Sequence, residues 1–359
     1  MDYKTKDGSQ RTLATNFEPA DERQFMPSWD EPGRKATFSL TVDVPSNRMA
    51  VSNMPIESTE VLSSGISRIH FYRTPKMSTY LIFLAIGDFE RIGEKVGATE
   101  VGVVVKRGDI DKARLALSYA TRLISYYNDY FDTPYPLPKL DLIAAPGAIT
   151  GGAMENWGAN FYSQTALLFD PKTSTEGNRQ RVFLAVSHEM AHQWFGDLVT
   201  MGWWDTLWLN EGFARWMQTK AAVDLYPEWE TGLQAMAIAE RGKRADAAPS
   251  THPVEQPVPS VSAAIQAFDS ITYNKGATVI RMIEDYLGAN DFRNGIRDYM
   301  KSHAYGSASS DDLWTALEHA SGKPIASIAH DFTLRPGLPL ITVITKENGK
   351  NVLKLSQER

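Results

Sequence analysis

The chain has 359 residues, a net charge of −6, 43% hydrophobic and 22% charged residues, and no cysteine. The length suits two or three domains with a large core, and the composition is that of a folded globular protein. The mild acidity gives no sign of a nucleic-acid surface, and the lack of cysteine excludes disulfides, thiolate metal ligands and a thiol nucleophile.

Residues 1–96 read as β-rich. In Ala36–Val44 the apolar Phe38, Leu40, Val42 and Val44 alternate with polar residues, the period of a half-buried strand. Ile66–Tyr72 and Thr79–Ile86 are further strand candidates, and Pro27, Pro32, Pro45, Pro55 and Pro75 punctuate the region. The charges here read as solvated surface, except Glu18. Met1–Gln10 is polar, without the apolar core of a signal peptide, and no apolar run approaches a membrane span. The chain reads as beginning inside a domain, so this absence does not fix a compartment.

Near Gly97 the pattern changes. Val101–Lys106 is one more strand, and Asp109–Phe131 has the apolar spacing of a helix that Asp109 or Asp111 is placed to cap. Leu140–Ala145 is a short buried strand. In Gly151–Gly158, GGAMENWG, a glycine pair before a strand suits close approach of another backbone. Glu155 lies in this otherwise apolar run, where a carboxylate needs a partner: a structural Arg or Lys, or a substrate ammonium.

Val182–Phe195 reads as a helix carrying His188, Glu189 and His192 in the order H-E-x-x-H, with Glu211 following in a second helix. Two imidazoles one turn apart can bind one Zn²⁺, with Glu211 as third ligand and the fourth tetrahedral position left for water. That is an open, catalytic pattern, with Glu189 beside it as a base. Beyond it the chain is mainly helical: Pro227–Gly242, a Pro-rich linker at Pro249–Pro259, Asp269–Leu287 with Tyr273 in its first turn, Asp291–His303 and Ser310–Ser321. Leu340–Val343 and Val352–Leu355 look like two strands, too little sheet to stand alone. His70, His252, His303, His319 and His330 have no ligand spacing to one another and read as structural.

GGAMEN (Gly151–Asn156), HEMAHQWFGDLVT (His188–Thr200) and WLNEGFA (Trp208–Ala214) resemble the zinc aminopeptidases of the M1 gluzincin family, which includes aminopeptidase N and leukotriene A4 hydrolase. ATNFEPADERQFMPSWDEP (Ala14–Pro32), YPLPKLD (Tyr135–Asp141) and FDSITYNKGA (Phe268–Ala277) extend the match in the right order. The resemblance implies an α+β chain: a partial β-rich N-terminal domain (1–96), a thermolysin-like, mainly helical zinc peptidase domain (97–336), and a β stub opening a sandwich (337–359). It is identified as a short or truncated member, lacking part of the N-terminal domain and the helical C-terminal domain.

The resemblance also implies roles. One Zn²⁺ is held by His188, His192 and Glu211. Glu189 is the general base and passes the proton to the leaving amine. Tyr273 donates to the oxyanion. Glu155 and Glu18 anchor the free N-terminus, with Asn16, where the family usually has Gln, beside them. Gly152, Ala153 and Met154 offer the backbone to the peptide. Ser28 replaces the usual Cys, and Asp197 stands where Asn is frequent. The expected partners are peptides with a free N-terminus, not nucleic acid or membrane; no oligomeric state is implied. The leading reading is removal of N-terminal residues from peptides. Endopeptidase action, epoxide hydrolysis and a silent zinc- or peptide-binding remnant are the alternatives.

Overall fold

The computed structural model describes residues 1–5, 8–62, 65–146, 152–347 and 350–358. β1 (Asp2–Thr5) and β2 (Gly8–Arg11) form a hairpin. β3 (Leu13–Ala14), β4 (Thr41–Pro45), β5 (Met49–Ser52), β6 (Ile56–Val61), β7 (Ile66–Phe71) and β8 (Leu84–Gly87) form two antiparallel sheets, ordered β3-β8-β5 and β4-β7-β6. Val44, Ala50, Ile69 and Phe71 bury their side chains together, as the alternating pattern requires.

Two strand expectations are corrected here. Of Ala36–Val44, only the part from Thr41 joins a ladder, although Phe38 and Leu40 still turn inward. The earlier half is tied by single bonds, such as Thr74 N–H to Phe38 C=O. Thr79–Ile86 starts with a 3-10 turn at Thr79–Leu81 and becomes a strand only at Leu84. All of Tyr80–Ala85 is buried, and burial on every side erases the alternation that distinguishes strand from turn.

β9 (Phe89–Val96), β10 (Thr99–Lys106), β11 (Lys139–Ala145), β12 (Ala153–Met154) and β13 (Ala159–Ser163) form a five-stranded sheet ordered β12-β13-β11-β10-β9. Gly97, at φ 61°, forms the tip of the β9–β10 hairpin, where the sequence pattern changes. β10, β11 and β13 run parallel, and β12 is an antiparallel edge strand. α1 (Ile110–Phe131) crosses between β10 and β11, packing its apolar stripe on the sheet. Asp109 does not cap α1. Its carboxylate is taken by Lys106 and Lys112, and Glu90 accepts from the Gly108 and Ile110 N–H groups instead.

The remaining helices are α2 (Gln164–Leu167), α3 (Glu176–His192), α4 (Trp208–Leu225), α5 (Thr231–Asp246), α6 (Val261–Gln266), α7 (Gly276–Leu287), α8 (Ala289–His303), α9 (Ser310–Ser321) and α10 (Ile325–Thr333). α3 begins six residues before the expected Val182, at a Thr175–Asn178 capping box. It ends at His192 rather than Phe195, and the backbone then turns through Gly196, at φ 135°. α3 packs against α1 and α4, and Tyr127, Phe131, Trp194, Phe195 and Phe213 fill the space between them. β14 (Thr200–Met201) and β15 (Ser307–Ala308) pair in parallel, and β16 (Leu340–Glu347) with β17 (Lys350–Glu358) makes the C-terminal hairpin, longer than expected. Among the described residues no helix is long and apolar enough to cross a membrane.

Candidate active site

α3 and α4 bring three ligand atoms together. His188 Nε2 lies 3.2 Å from His192 Nε2 and 3.2 Å from Glu211 Oε2, and His192 Nε2 lies 3.5 Å from that oxygen. Metal–ligand bonds of about 2.0–2.1 Å at the tetrahedral angle place ligand atoms roughly 3.3–3.4 Å apart. The triangle therefore fits one small tetrahedral cation such as Zn²⁺. His192 Nδ1 is 3.0 Å from the Phe195 carbonyl, a hydrogen bond that puts the proton on Nδ1 and leaves the Nε2 lone pair on the triangle.

Glu189, Glu155 and His192 form a second close group, with donor atoms within 4.8 Å of one another. Glu155 Oε1 lies 4.0 Å from His192 Nδ1 and, like Glu18 Oε1, is buried without a hydrogen-bond partner among the described residues. Burial drives the carboxyl pKa of Glu18 well up, and the Glu155 and Glu211 charges add to it. Burial also raises Glu155 and Glu189, although the His192 charge opposes it in both. His188 is pushed down to about 4, first by burial. His192 goes the other way: burial would lower it, but Glu155, Glu211 and Glu189 together raise it well above 6.5. Glu211 is held low despite burial by both imidazoles. Four carboxylates gathered around two imidazoles make a site for cations.

Tyr273 sits in a wide π-helical turn, Ile271–Lys275, ahead of α7. Its ring lies nearly parallel to His188, with centroids 6.1 Å apart, and the Glu211 charge lies near enough to act on its phenol. Burial raises the phenol well above its usual range, so it stays a donor. Asp269 holds that turn by accepting from the Ile271 and Thr272 N–H groups, and His252 holds Asp269 at 2.7 Å.

Gly152, at φ 97°, accepts from Ser163 N–H just ahead of the β12 edge, where Ala153 and Met154 pair with Tyr162 and Phe161. Gly151 lies outside the described residues. Asn16 is exposed, and among the described residues no hydrogen bond ties it to the carboxylate cluster. Ser28 bonds the buried Glu22.

Several positioning groups were not visible in the sequence. Gln193 Nε2 donates to the Glu155 carbonyl, Asn160 Oδ1 and Asp197 Oδ2, each at 2.8 Å, and its Oε1 accepts from Tyr135 OH and Gly158 N–H. Asn53 Nδ2 donates to the Trp157 carbonyl from the N-terminal region. Tyr80 OH bonds the Gly196 carbonyl and accepts from Asn210. Only Gln193 carried a signal, its place directly after His192.

Two family models match in succession: "Peptidase M1 N-terminal domain" over residues 1–81 and "Peptidase family M1 domain" over 115–332. The chain belongs to peptidase family M1. Curated M1 relatives are similar along nearly all of it. Aminopeptidase M1-A of Oryza sativa subsp. japonica is 43% identical over 98% of the chain, covering 40% of that protein. Probable aminopeptidase 2 of Sulfurisphaera tokodaii is 44% identical over 99% of the chain and 45% of its own length. Endoplasmic reticulum aminopeptidase 1 of Homo sapiens is 37% identical over 98% and 40%. The chain thus spans less than half the length of these M1 relatives. The β-rich start and the mainly helical remainder correspond to the two M1 models in order.

Proposed function

We propose that the chain carries the catalytic site of a zinc aminopeptidase that removes N-terminal residues from peptides. The observation that carries this reading is the pairing of an open three-ligand triangle with the buried Glu155, whose Oε1 has no hydrogen-bond partner among the described residues and lies 4.0 Å from one of those ligands. His188, His192 and Glu211 hold the ion. When bound, Zn²⁺ supplies Lewis-acid polarisation and lowers the pKa of a water toward ~7.

Glu189 takes the proton of the attacking water and delivers it to the leaving nitrogen. Tyr273 donates its O–H to the oxygen that gains charge. Glu155 and Glu18 pair with the substrate ammonium and so fix which bond reaches the ligands. The open edge of β12 offers main-chain groups to an extended peptide. On the division expected from the sequence, Glu18 comes from the unit 1–96 and the other groups from 97–336, with 337–359 opening a third unit. An endopeptidase has no use for a sealed carboxylate pair beside its metal ligands.

The test is hydrolysis of aminoacyl-naphthylamides by the chain and by Glu189→Ala, with zinc measured in both. Activity lost in the variant while zinc remains is the expected result. Equal activity in the variant, or equal cleavage of N-acetylated peptides, would overturn the reading.

A further inference from the structure

Arg215 is unused by this mechanism, yet it stands on the same face of α4 as Glu211, one turn further on. Its guanidinium lies 5.7 Å from the centre of the Tyr273 ring. The side chain is largely buried, and its Nε is sealed from solvent with no acceptor among the described residues. Among the described residues it makes no ion pair; the acids that feel its charge, Glu211 and Glu189, face the metal site. A second guanidinium, Arg241 on the exposed side of α5, is near enough to repel it and likewise has no carboxylate partner among the described residues. A sealed guanidinium donor without an acceptor favours an anion beside it, and the Arg241 charge adds to that preference.

The position of the pair identifies that anion. Glu155 lies at His192, while Tyr273 stacks on His188 with Arg215 beyond it. Glu155 and Arg215 are thus reached through different corners of the ligand triangle, His192 for the one and His188 with Tyr273 for the other. If the substrate amine is held at Glu155 and Glu18, the chain beyond the scissile bond leaves toward Tyr273 and Arg215.

We propose that Arg215, assisted by Arg241, binds a substrate carboxylate on the leaving-group side, so that peptides with an acidic second residue, or dipeptides with a free C-terminus, are preferred. The inference rests on the aminopeptidase reading for the direction of the substrate. The guanidinium fork suits a carboxylate better than a single ammonium would.

Two substrate pairs separate the two sources of carboxylate: Leu-Glu-Ala-amide against Leu-Gln-Ala-amide, and Leu-Ala against Leu-Ala-amide. kcat/KM is measured on the zinc-loaded chain, and binding of the same peptides by calorimetry on Glu189→Ala. The expected preference for the carboxylate member is about tenfold in at least one pair. It falls to near unity in Arg215→Met, survives in part in Arg215→Lys, and weakens in Arg241→Met.

A ratio near unity in both pairs, or one that Arg215→Met leaves unchanged, overturns the proposal. Should Arg215→Met fail to fold, unchanged ratios in both Arg215→Lys and Arg241→Met overturn it equally. Turnover without preference removes the carboxylate site and spares the peptidase reading. Preferential binding without wild-type turnover does the reverse.

Discussion

Gln193 Nε2 donates to the backbone carbonyl of Glu155 at 2.8 Å, tying the residue that follows α3 to the proposed amine anchor just past β12. The same amide group also holds Asn160, Asp197, Tyr135 and Gly158. Replacing it by Leu strands several buried polar groups at once, and each costs roughly 1–3 kcal/mol. Gln193→Leu is therefore expected to lose roughly 3 kcal/mol or more of stability, read from urea unfolding. Where enough folded protein survives, KM for free-amine substrates should rise more than kcat falls. A loss below about 1 kcal/mol would show that water replaces the amide without penalty.

Tyr273→Phe removes one hydroxyl and leaves the ring against His188. Loss of a single oxyanion donor typically costs about 10²–10³ in kcat. Steady-state kinetics should show that fall with KM little changed and zinc content intact. A fall below about threefold would place Tyr273 outside the reaction.

If the cluster holds a dication as proposed, its removal would leave Glu18, Glu155, Glu189 and Glu211 crowded around two imidazoles without a compensating charge. Chelation should lower the melting temperature, and added Zn²⁺ should restore it in a concentration-dependent way, as expected when a ligand binds only the folded state. Glu211→Ala should abolish the dependence. An equal melting temperature with and without zinc would contradict the ligand assignment.

The His252–Asp269 pair supplies a pH dependence away from the metal. The Asp269 carboxylate raises the His252 pKa above its usual 6.5. A raised folded pKa contributes stability that is fully present below about pH 6.5 and is lost as pH rises through the folded value. Asp269 itself is lowered: burial would raise it, but His252 and the Thr272 and Ile271 N–H groups outweigh burial. Its contribution is present at neutral pH and lost only in acid. Wild type should therefore lose more stability between pH 6 and pH 8.5 than His252→Gln, measured as paired melting curves. Equal slopes would dismiss the pair as a pH-dependent strut.

The close cluster of His188, His192 and Glu211, with Glu189 beside it, was legible because it depends on local spacing: three residues on one helical turn, and Glu211 on a nearby amphipathic segment. The strand pattern around Val44 was readable for the same reason. What escaped depends on contacts far apart in sequence. Asn53 meets Trp157 across 104 residues, and Tyr80 meets Asn210 across 130. No periodicity encodes such pairs. Buried segments such as Tyr80–Ala85 lose their alternation, so the 3-10 turn there was taken for strand. Arg215 was missed because an arginine on a helix is usually solvated, and this one is set apart by its place beside the Tyr273 ring together with a sealed Nε.

Glu18 and Glu155 share one negative cluster but are 137 positions apart, and Glu18 is supplied by the region that Asn53 and Tyr80 hold against the catalytic core. On the proposed reading, metal capture rests on one stretch of polypeptide, whereas recognition of the chain end draws on both. A nicked preparation whose first segment has drifted away would keep its ion and its base, yet lose half of its ruler for measuring one residue from the end. Fidelity in choosing the first peptide bond, rather than the rate of breaking it, is the property that reports whether the two regions are docked.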